Sequence, residues 1–298
     1  VRVRVVNGVP RDIAHAIVPE GESLETCRRE LELARERDPS FVFGYTPDND
    51  GDRGNLVFFD EASGRARPLE AQEVFALACA AELSYLAARR SGDTGAEKIA
   101  VVVNDPTSLR IDRIAAALGA EVRRAEVGEA NVVALAAELR RDGYTVRILG
   151  EGSNGGNITH PSEVRDPLST VFAVLKLLHL PEPYEILCRA VGRPDLAASE
   201  PTIGKILGML PAFRTLGASD PAAILKIRTG DHMALKARYE EIFLREWEER
   251  RRDLESRFGI TSWEELNHEG TVCRSGTGPA SRTGNGRGGL TILLKGPS

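Results

Sequence analysis

Across residues 98–147 the apolar pattern alternates between two periods, and this alternation constrains the fold more than any other stretch of the chain. Ile99-Ala100-Val101-Val102-Val103 is an unbroken apolar run, as a strand buried on both faces requires. Residues 109–118 have the spacing of a short helix, and residues 121–125 read as a second strand. Residues 130–140 predict a helix with Val133, Leu135, Ala136 and Leu139 inward, and residues 145–149 close the series as a strand. Strands separated by helices imply a parallel sheet layered by those helices. The ligand crevice of such a sheet lies beyond the carboxyl ends of its strands, so chemistry is expected just after Leu149. The expected class is α/β: consecutive strand–helix domains with layered mixed or parallel sheets, then a C-terminal α+β domain.

A second stretch, residues 41–60, reads FVFGYTPDNDGDRGNLVFFD, with apolar runs at 41–45 and 56–59 flanking an acidic turn. Both runs predict strands. Asp48, Asp50 and Asp52 occupy alternate residues of the turn, and alternate side chains of an extended segment point the same way. Facing carboxylates repel unless a cation lies between them, and oxygen-only ligation favours Mg²⁺ or Ca²⁺. An EF-hand is excluded: counted from Asp48, its obligatory glycine falls on Arg53 and its bidentate glutamate on Phe59. What survives is a Mg²⁺ loop beside Arg53, a pairing suited to phosphoryl oxygens, which a cation and a guanidinium can share. The competing reading is a plain acidic hairpin turn, since Asp, Asn and Gly are turn residues anyway.

With 298 residues, 42% hydrophobic and 28% charged, the chain has globular composition and length for two or three domains. A formal charge of −5 argues against nucleic acid as a partner but allows a local basic pocket for a phosphorylated metabolite. Cys27, Cys79, Cys188 and Cys273 are widely spaced in or beside apolar or helical stretches, the pattern of reduced, buried thiols in a cytoplasmic protein. No run reaches the roughly 18 apolar residues of a membrane span, and no signal-peptide pattern is visible. Val1-Arg2-Val3-Arg4-Val5-Val6 alternates like a strand and begins without Met, which reads as a cut through a longer protein.

The remaining stretches fill in around these features. Ser23 is placed to cap a helix whose stripe is Leu24, Cys27, Leu31 and Ala34, and residues 69–90 predict a long alanine-rich helix. After the closing strand stands Gly150-Glu151-Gly152-Ser153-Asn154-Gly155-Gly156-Asn157. Its glutamate would repel a nucleotide phosphate, whereas Glu151 and Ser153 on a glycine-rich backbone suit sugar hydroxyls. Residues 164–180, opened by Arg165-Asp166, predict an apolar helix. Repeated prolines from Pro181 to Pro221 suggest a linker with short helices, and residues 239–258 a charged helix with Ile242, Phe243, Trp247, Leu254 and Phe258 for packing. In the tail, Arg274, Ser275, Gly276, Thr277 and Arg282 form a small-residue loop able to offer N–H groups, hydroxyls and charge to a phosphate. Residues 282–287 are an equal candidate, a flexible Gly/Ser/Thr tail is the alternative to both, and residues 290–294 predict a strand. His160 and His232 are isolated and receive no role.

The Asp-x-Asp-Gly-Asp-Arg loop between two strands, followed about a hundred residues later by Gly-Glu-x-Ser after a strand–helix unit, resembles the α-D-phosphohexomutases, the phosphoglucomutase and phosphomannomutase superfamily. The resemblance implies Mg²⁺ held by Asp48, Asp50 and Asp52, with Arg53 as a catalytic neighbour. It also implies a sugar gripped by Glu151 and Ser153, and a phosphate held by Arg274, Ser275, Gly276, Thr277 and Arg282. The reaction implied interconverts hexose 1-phosphate and hexose 6-phosphate through a hexose bisphosphate, with a phosphoserine as carrier. No Thr-Ala-Ser-His-Asn-Pro motif occurs in these residues, so the serine is expected from an N-terminal domain outside them. One departure is Glu129, near the position where the family carries a cation for substrate phosphate. The implied division is 1–66 as part of the metal-loop domain, 67–180 as the sugar-loop α/β domain and 181–298 as a C-terminal phosphate-binding α+β domain. A non-catalytic sugar-phosphate-binding remnant, or a structural fragment, is the alternative.

Overall fold

In the first unit, helix α1 (Glu25–Arg37) packs on an antiparallel sheet of β1 (Phe43–Pro47), β2 (Gly54–Asp60) and β3 (Arg65–Pro68), in the order β1-β2-β3. The structure, a computed structural model, describes residues 1–9, 15–16, 18–90, 97–152, 156–214, 226–282 and 286–297. The alternating residues 1–6 are exposed and form no strand. They have no neighbouring ladder to satisfy their backbone groups, which alternation alone cannot supply. Nor does Ser23 cap α1: a 3-10 turn over Gly21–Leu24 leads in, and Leu24 occupies the cap position without a side-chain bond. The expected stripe holds in its apolar positions, with Leu24, Leu31 and Ala34 buried and Cys27 half-buried.

The central element is α2 (Ala71–Ala88). A capping box between Glu70 and Glu73 starts it, and every residue from Val74 to Ser84 is buried. A helix apolar all round is one enclosed on all sides. It is followed by β4 (Lys98–Asn104), α3 (Arg110–Ala117), β5 (Glu121–Ala125), α4 (Glu129–Arg141), β6 (Tyr144–Thr145), β7 (Ile148–Glu151) and β8 (Gly156–Thr159). The sheet order is β5-β4-β7-β8, with β6 also beside β4. Strands β5, β6 and β7 run parallel to β4, while β8 runs antiparallel to β7, so the sheet is mixed. Alternation along β4 divides its side chains between two layers: Ile99, Val101 and Val103 face the core with α2 and α3, and Ala100 and Val102 face α4. The helix α4 turns slightly from the expected phase, burying Val132 fully and Val133 only in part.

Helices α5 (Pro167–His179), α6 (Pro181–Ala190) and α7 (Ile203–Met209) follow. Of the stretch read as a linker with short helices, residues 181–210 do form short helices, but these are packed: Tyr184, Leu187, Cys188, Ile203, Ile206 and Met209 join the core that holds α2, Leu56 and Phe58. Pro181 and Pro183 sit in the first turn of α6, where a missing N–H costs nothing. The long helix α8 (His232–Phe258) begins seven residues before its predicted start and buries no residue fully. Phe243 and Trp247 gather against Trp263 of the last sheet, which is β9 (Ser262–Glu269), β10 (Val272–Ser275) and β11 (Gly289–Lys295) in the order β10-β9-β11. The β9–β10 hairpin docks on the strand–helix unit through paired bonds between Glu126 and Gly270. All four cysteines are free, but Cys273 is exposed on edge strand β10, contrary to the expectation of burial. Among the described residues no helix is long and apolar enough to cross a membrane.

Candidate functional site

The acidic turn is the β1–β2 hairpin loop. Pro47 pairs with Gly54 at its base, Asp48 N–H donates to the Arg53 carbonyl at 2.9 Å, and Gly51 N–H donates to the Asp48 carbonyl at 3.1 Å. Gly54 is required by close approach: a Cβ there would lie 2.3 Å from Tyr45 Oη and 2.7 Å from the Thr46 carbonyl oxygen. Asp48 is buried and anchors the loop, its Oδ1 accepting the N–H groups of Asp52 and Arg53 at 3.1 Å each. Its Oδ2 accepts from Arg53 Nε at 2.7 Å. Asp50 is exposed and Asp52 half-buried, yet one carboxylate oxygen from each of the three aspartates lies within 4.8 Å of the others.

Electrostatics separate the two inner aspartates. Burial pushes the Asp48 carboxyl up, but the Arg53 backbone N–H and guanidinium outweigh it and hold the pKa below the ordinary value. Asp52 moves up: burial raises it, Arg165 opposes, and the carboxylates of Asp48 and Asp50 add to the rise. Asp52 Oδ1 is buried and makes no hydrogen bond, with Arg53 Nε 3.3 Å away. Three converging carboxylates, an all-oxygen donor set, fit a hard divalent cation.

Glu151 lies at the carboxyl end of β7, where the parallel-sheet reading places the crevice. The described flanks of the glycine-rich stretch are paired as strands. Glu151 pairs with Gly156 and Gly150 with Asn157 in the β7–β8 hairpin. A Cβ at Gly150 would lie 2.3 Å from the Gly156 carbonyl, so the glycine serves a tight ladder rather than mobility. Glu151 is buried, and its Oε1 accepts from Asn104 Nδ2 at 3.1 Å and from Gly128 N–H at 3.0 Å. Thr107 extends the network, donating to Asn104 Oδ1 at 2.5 Å and accepting from Gly152 N–H at 3.0 Å. Ser153 lies outside the described residues.

From the sequence alone, no site role attaches to the residue that joins these two loops. Arg165, just before α5, places Nη2 3.1 Å from Asp52, Nε 2.6 Å from Glu129 and Nη1 4.0 Å from Glu151. Asp166 caps α5 by accepting the Leu168 N–H at 2.9 Å. Glu129 is thus a partner of an arginine at the head of α4. The sequence marks Arg165-Asp166 as a helix-opening pair like that of the family it resembles, a local signal that says nothing of carboxylates distant along the chain.

The C-terminal residues stand apart from this cluster in their bonding. Arg282 is buried and paired with Glu240 of α8, which also accepts the Gly278 N–H at 2.7 Å. Ser275 Oγ donates to Glu264 at 2.7 Å, the Gly276 N–H donates to the Glu265 carbonyl at 3.0 Å, and Arg274 and Thr277 are exposed. Residues 283–285 of the alternative phosphate loop lie outside the described residues.

Residues 78–190 match the family described as phosphoglucomutase/phosphomannomutase, alpha/beta/alpha domain III. The match ends with α6, ten residues beyond the boundary drawn at 180. No curated protein matches the chain significantly. Among solved structures it is similar to a protein described as a phosphomannomutase from Thermus thermophilus, with 20% identity, 61% of this chain, 36% of that one and a TM-score of 0.42. Parafusin, a phosphoglucomutase from Paramecium, is 18% identical over 59% of this chain and 29% of that one, with a TM-score of 0.39. An N-acetylphosphoglucosamine mutase from Aspergillus fumigatus, solved with glucose 1,6-bisphosphate, is 18% identical over 56% of this chain and 32% of that one, with a TM-score of 0.31. The chain thus spans about a third of the length of these proteins.

Proposed function

We propose that this chain is part of a phosphohexomutase that interconverts hexose 1-phosphate and hexose 6-phosphate, with a phosphoserine supplied from outside these residues. The observation that carries the reading is the meeting of the Asp48–Asp50–Asp52 loop with Glu151 around Arg165, at the carboxyl edge of the sheet. Asp48, Asp50 and Asp52 would hold Mg²⁺, which when bound supplies positive charge to phosphoryl oxygens. Arg53, a quarter exposed and anchored on Asp48, can present its remaining N–H donors to the same oxygens. Glu151 and Ser153 would contact the sugar, and Arg274, Ser275, Gly276, Thr277 and Arg282 the non-transferring phosphate. The protein would work in the cytoplasm on a phosphorylated hexose, with no nucleic-acid or membrane partner, through the units 1–66, 67–180 and 181–298.

A second reading, a sugar-phosphate binder without turnover, is favoured by one observation. Glu151 and Arg282, the side chains needed for substrate, are both bonded within the protein. Calorimetry with glucose 1-phosphate in the presence of Mg²⁺ tests the site. Binding that Glu151→Gln weakens about tenfold supports substrate contact, since a charged hydrogen bond contributes on the order of 1.5–3 kcal/mol. Unchanged affinity removes Glu151 from the site.

A further inference from the structure

Arg165 draws together carboxylates from three separate elements: Asp52 in the β1–β2 loop, Glu129 at the head of α4 and Glu151 at the end of β7. Its side chain is only 17% exposed, so these contacts are poorly screened by water. The immediate cluster contains the carboxylates of Asp48, Asp50, Asp52, Glu129 and Glu151 against the guanidiniums of Arg53 and Arg165. Five negative charges against two leave a surplus of three, which a divalent cation reduces to one.

Asp52 is the contested member. It is both one of the three converging aspartates and the carboxylate that Arg165 Nη2 holds at 3.1 Å. A cation drawn to Asp48, Asp50 and Asp52 meets a positive guanidinium already using one of its ligands. Arg165 cannot relieve the competition by losing a proton, because a guanidinium stays charged. Released from Asp52, it has a ready alternative, since Glu151 Oε2 stands 4.0 Å from Nη1.

We propose that Arg165 is a positioning residue that serves as the exchangeable counter-cation of Asp52. It holds the acidic loop on the sheet edge until a divalent cation takes that carboxylate, then closes on Glu151, so filling one loop resets the other. The inference rests on the three aspartates being a metal site, and the experiment separates the two ideas.

Mn²⁺ affinity is measured by electron paramagnetic resonance and Mg²⁺ affinity by calorimetry on the 298-residue chain and its Arg165→Gln, Arg165→Lys and Asp50→Asn variants. Removing the competing charge in Arg165→Gln should tighten Mn²⁺ binding about tenfold, while Arg165→Lys, which keeps the charge, stays within about twofold of the parent. Hydrogen exchange adds a readout that a purely structural role would not move. Mg²⁺ should alter protection of residues 148–152 in the parent chain and leave it unchanged in Arg165→Gln. Unchanged or weaker Mn²⁺ binding by a folded Arg165→Gln, with binding lost in Asp50→Asn, overturns the exchange while leaving the metal site standing. Equal tightening in Arg165→Lys also overturns it, and that variant decides the matter should Arg165→Gln fail to fold. No Mn²⁺ binding by the parent chain removes the metal site and the inference together.

Discussion

At Gly54 the missing side chain is the structural requirement. A methyl group there meets the Thr46 carbonyl at 2.7 Å, a backbone atom that can move only by distorting the hairpin holding Asp48. Gly54→Ala should therefore lower stability by about 1–3 kcal/mol in urea unfolding, the usual range for overpacking. Asp50 provides the contrasting case. It is exposed, so Asp50→Ala should leave the urea midpoint unchanged while weakening Mg²⁺ binding in calorimetry. A lost midpoint would show that Asp50 serves the turn instead. The aspartate cluster was legible in the sequence because alternation over five residues is a local rule. Arg165 and Glu129 were not, because their meeting depends on how two loops come to the same sheet edge.

Two pairings at the scale of elements carry measurable consequences. Glu82 of α2 is buried and holds both Arg147, at 2.8 Å, and Lys176 of α5. Glu82→Ala leaves two cations facing an apolar helix. The cost should be about 2 kcal/mol, below the roughly 3–5 of a wholly buried pair because both cations still reach water. The second pairing ties β4 to the last sheet: His268 Nδ1 of β9 lies 3.0 Å from Asp105 Oδ1, just beyond β4. Burial would lower the His268 pKa, but the Asp105 carboxylate and Cys273 outweigh it and raise it from 6.5 to about 9. Asp105 is displaced the other way: burial raises it, and His268 and Thr291 outweigh that. A raised folded pKa means the histidine's contribution is complete below 6.5 and is lost as pH climbs through about 9. A depressed aspartate pKa means its side of the same contribution is lost as pH falls below 3.8. Urea midpoints should therefore decline from pH 6.5 to about 9 in the parent chain, and His268→Gln should flatten that decline. An equal decline in the variant would assign it to other groups. The sequence contained the strands of this contact but not the contact itself. Period-two and helical patterns identify elements, whereas the β7–β8 hairpin and the packing of α6 and α7 depend on partners far along the chain.

For the whole molecule, the decisive quantity is turnover. Phosphoryl transfer by this route needs a covalent carrier, because a metal and arginines only position the group and neutralise its charge. Two described serines stand in the proposed loops: Ser281 donates to the Thr277 carbonyl at 3.2 Å, and Ser275 donates to Glu264 at 2.7 Å. The Ser275–Glu264 arrangement resembles a nucleophile with its base, but Glu264 is a poor one. Lys295 first, and Ser275 second, hold its carboxyl below the ordinary glutamate range, so it has little tendency to take a proton. We therefore expect the 298 residues alone to give no detectable glucose 6-phosphate from glucose 1-phosphate in a dehydrogenase-coupled assay, with or without glucose 1,6-bisphosphate. On the proposed reading, the same residues joined to a domain that carries a phosphoserine should turn over, and changing that serine to alanine should abolish activity. Asp50→Ala in the joined protein should reduce kcat by at least about a hundredfold, as expected for losing charge stabilisation at a transferring phosphoryl group. Steady turnover by the isolated chain, freed of host mutase and retained in Ser275→Ala, would place the nucleophile within these residues and overturn the carrier argument.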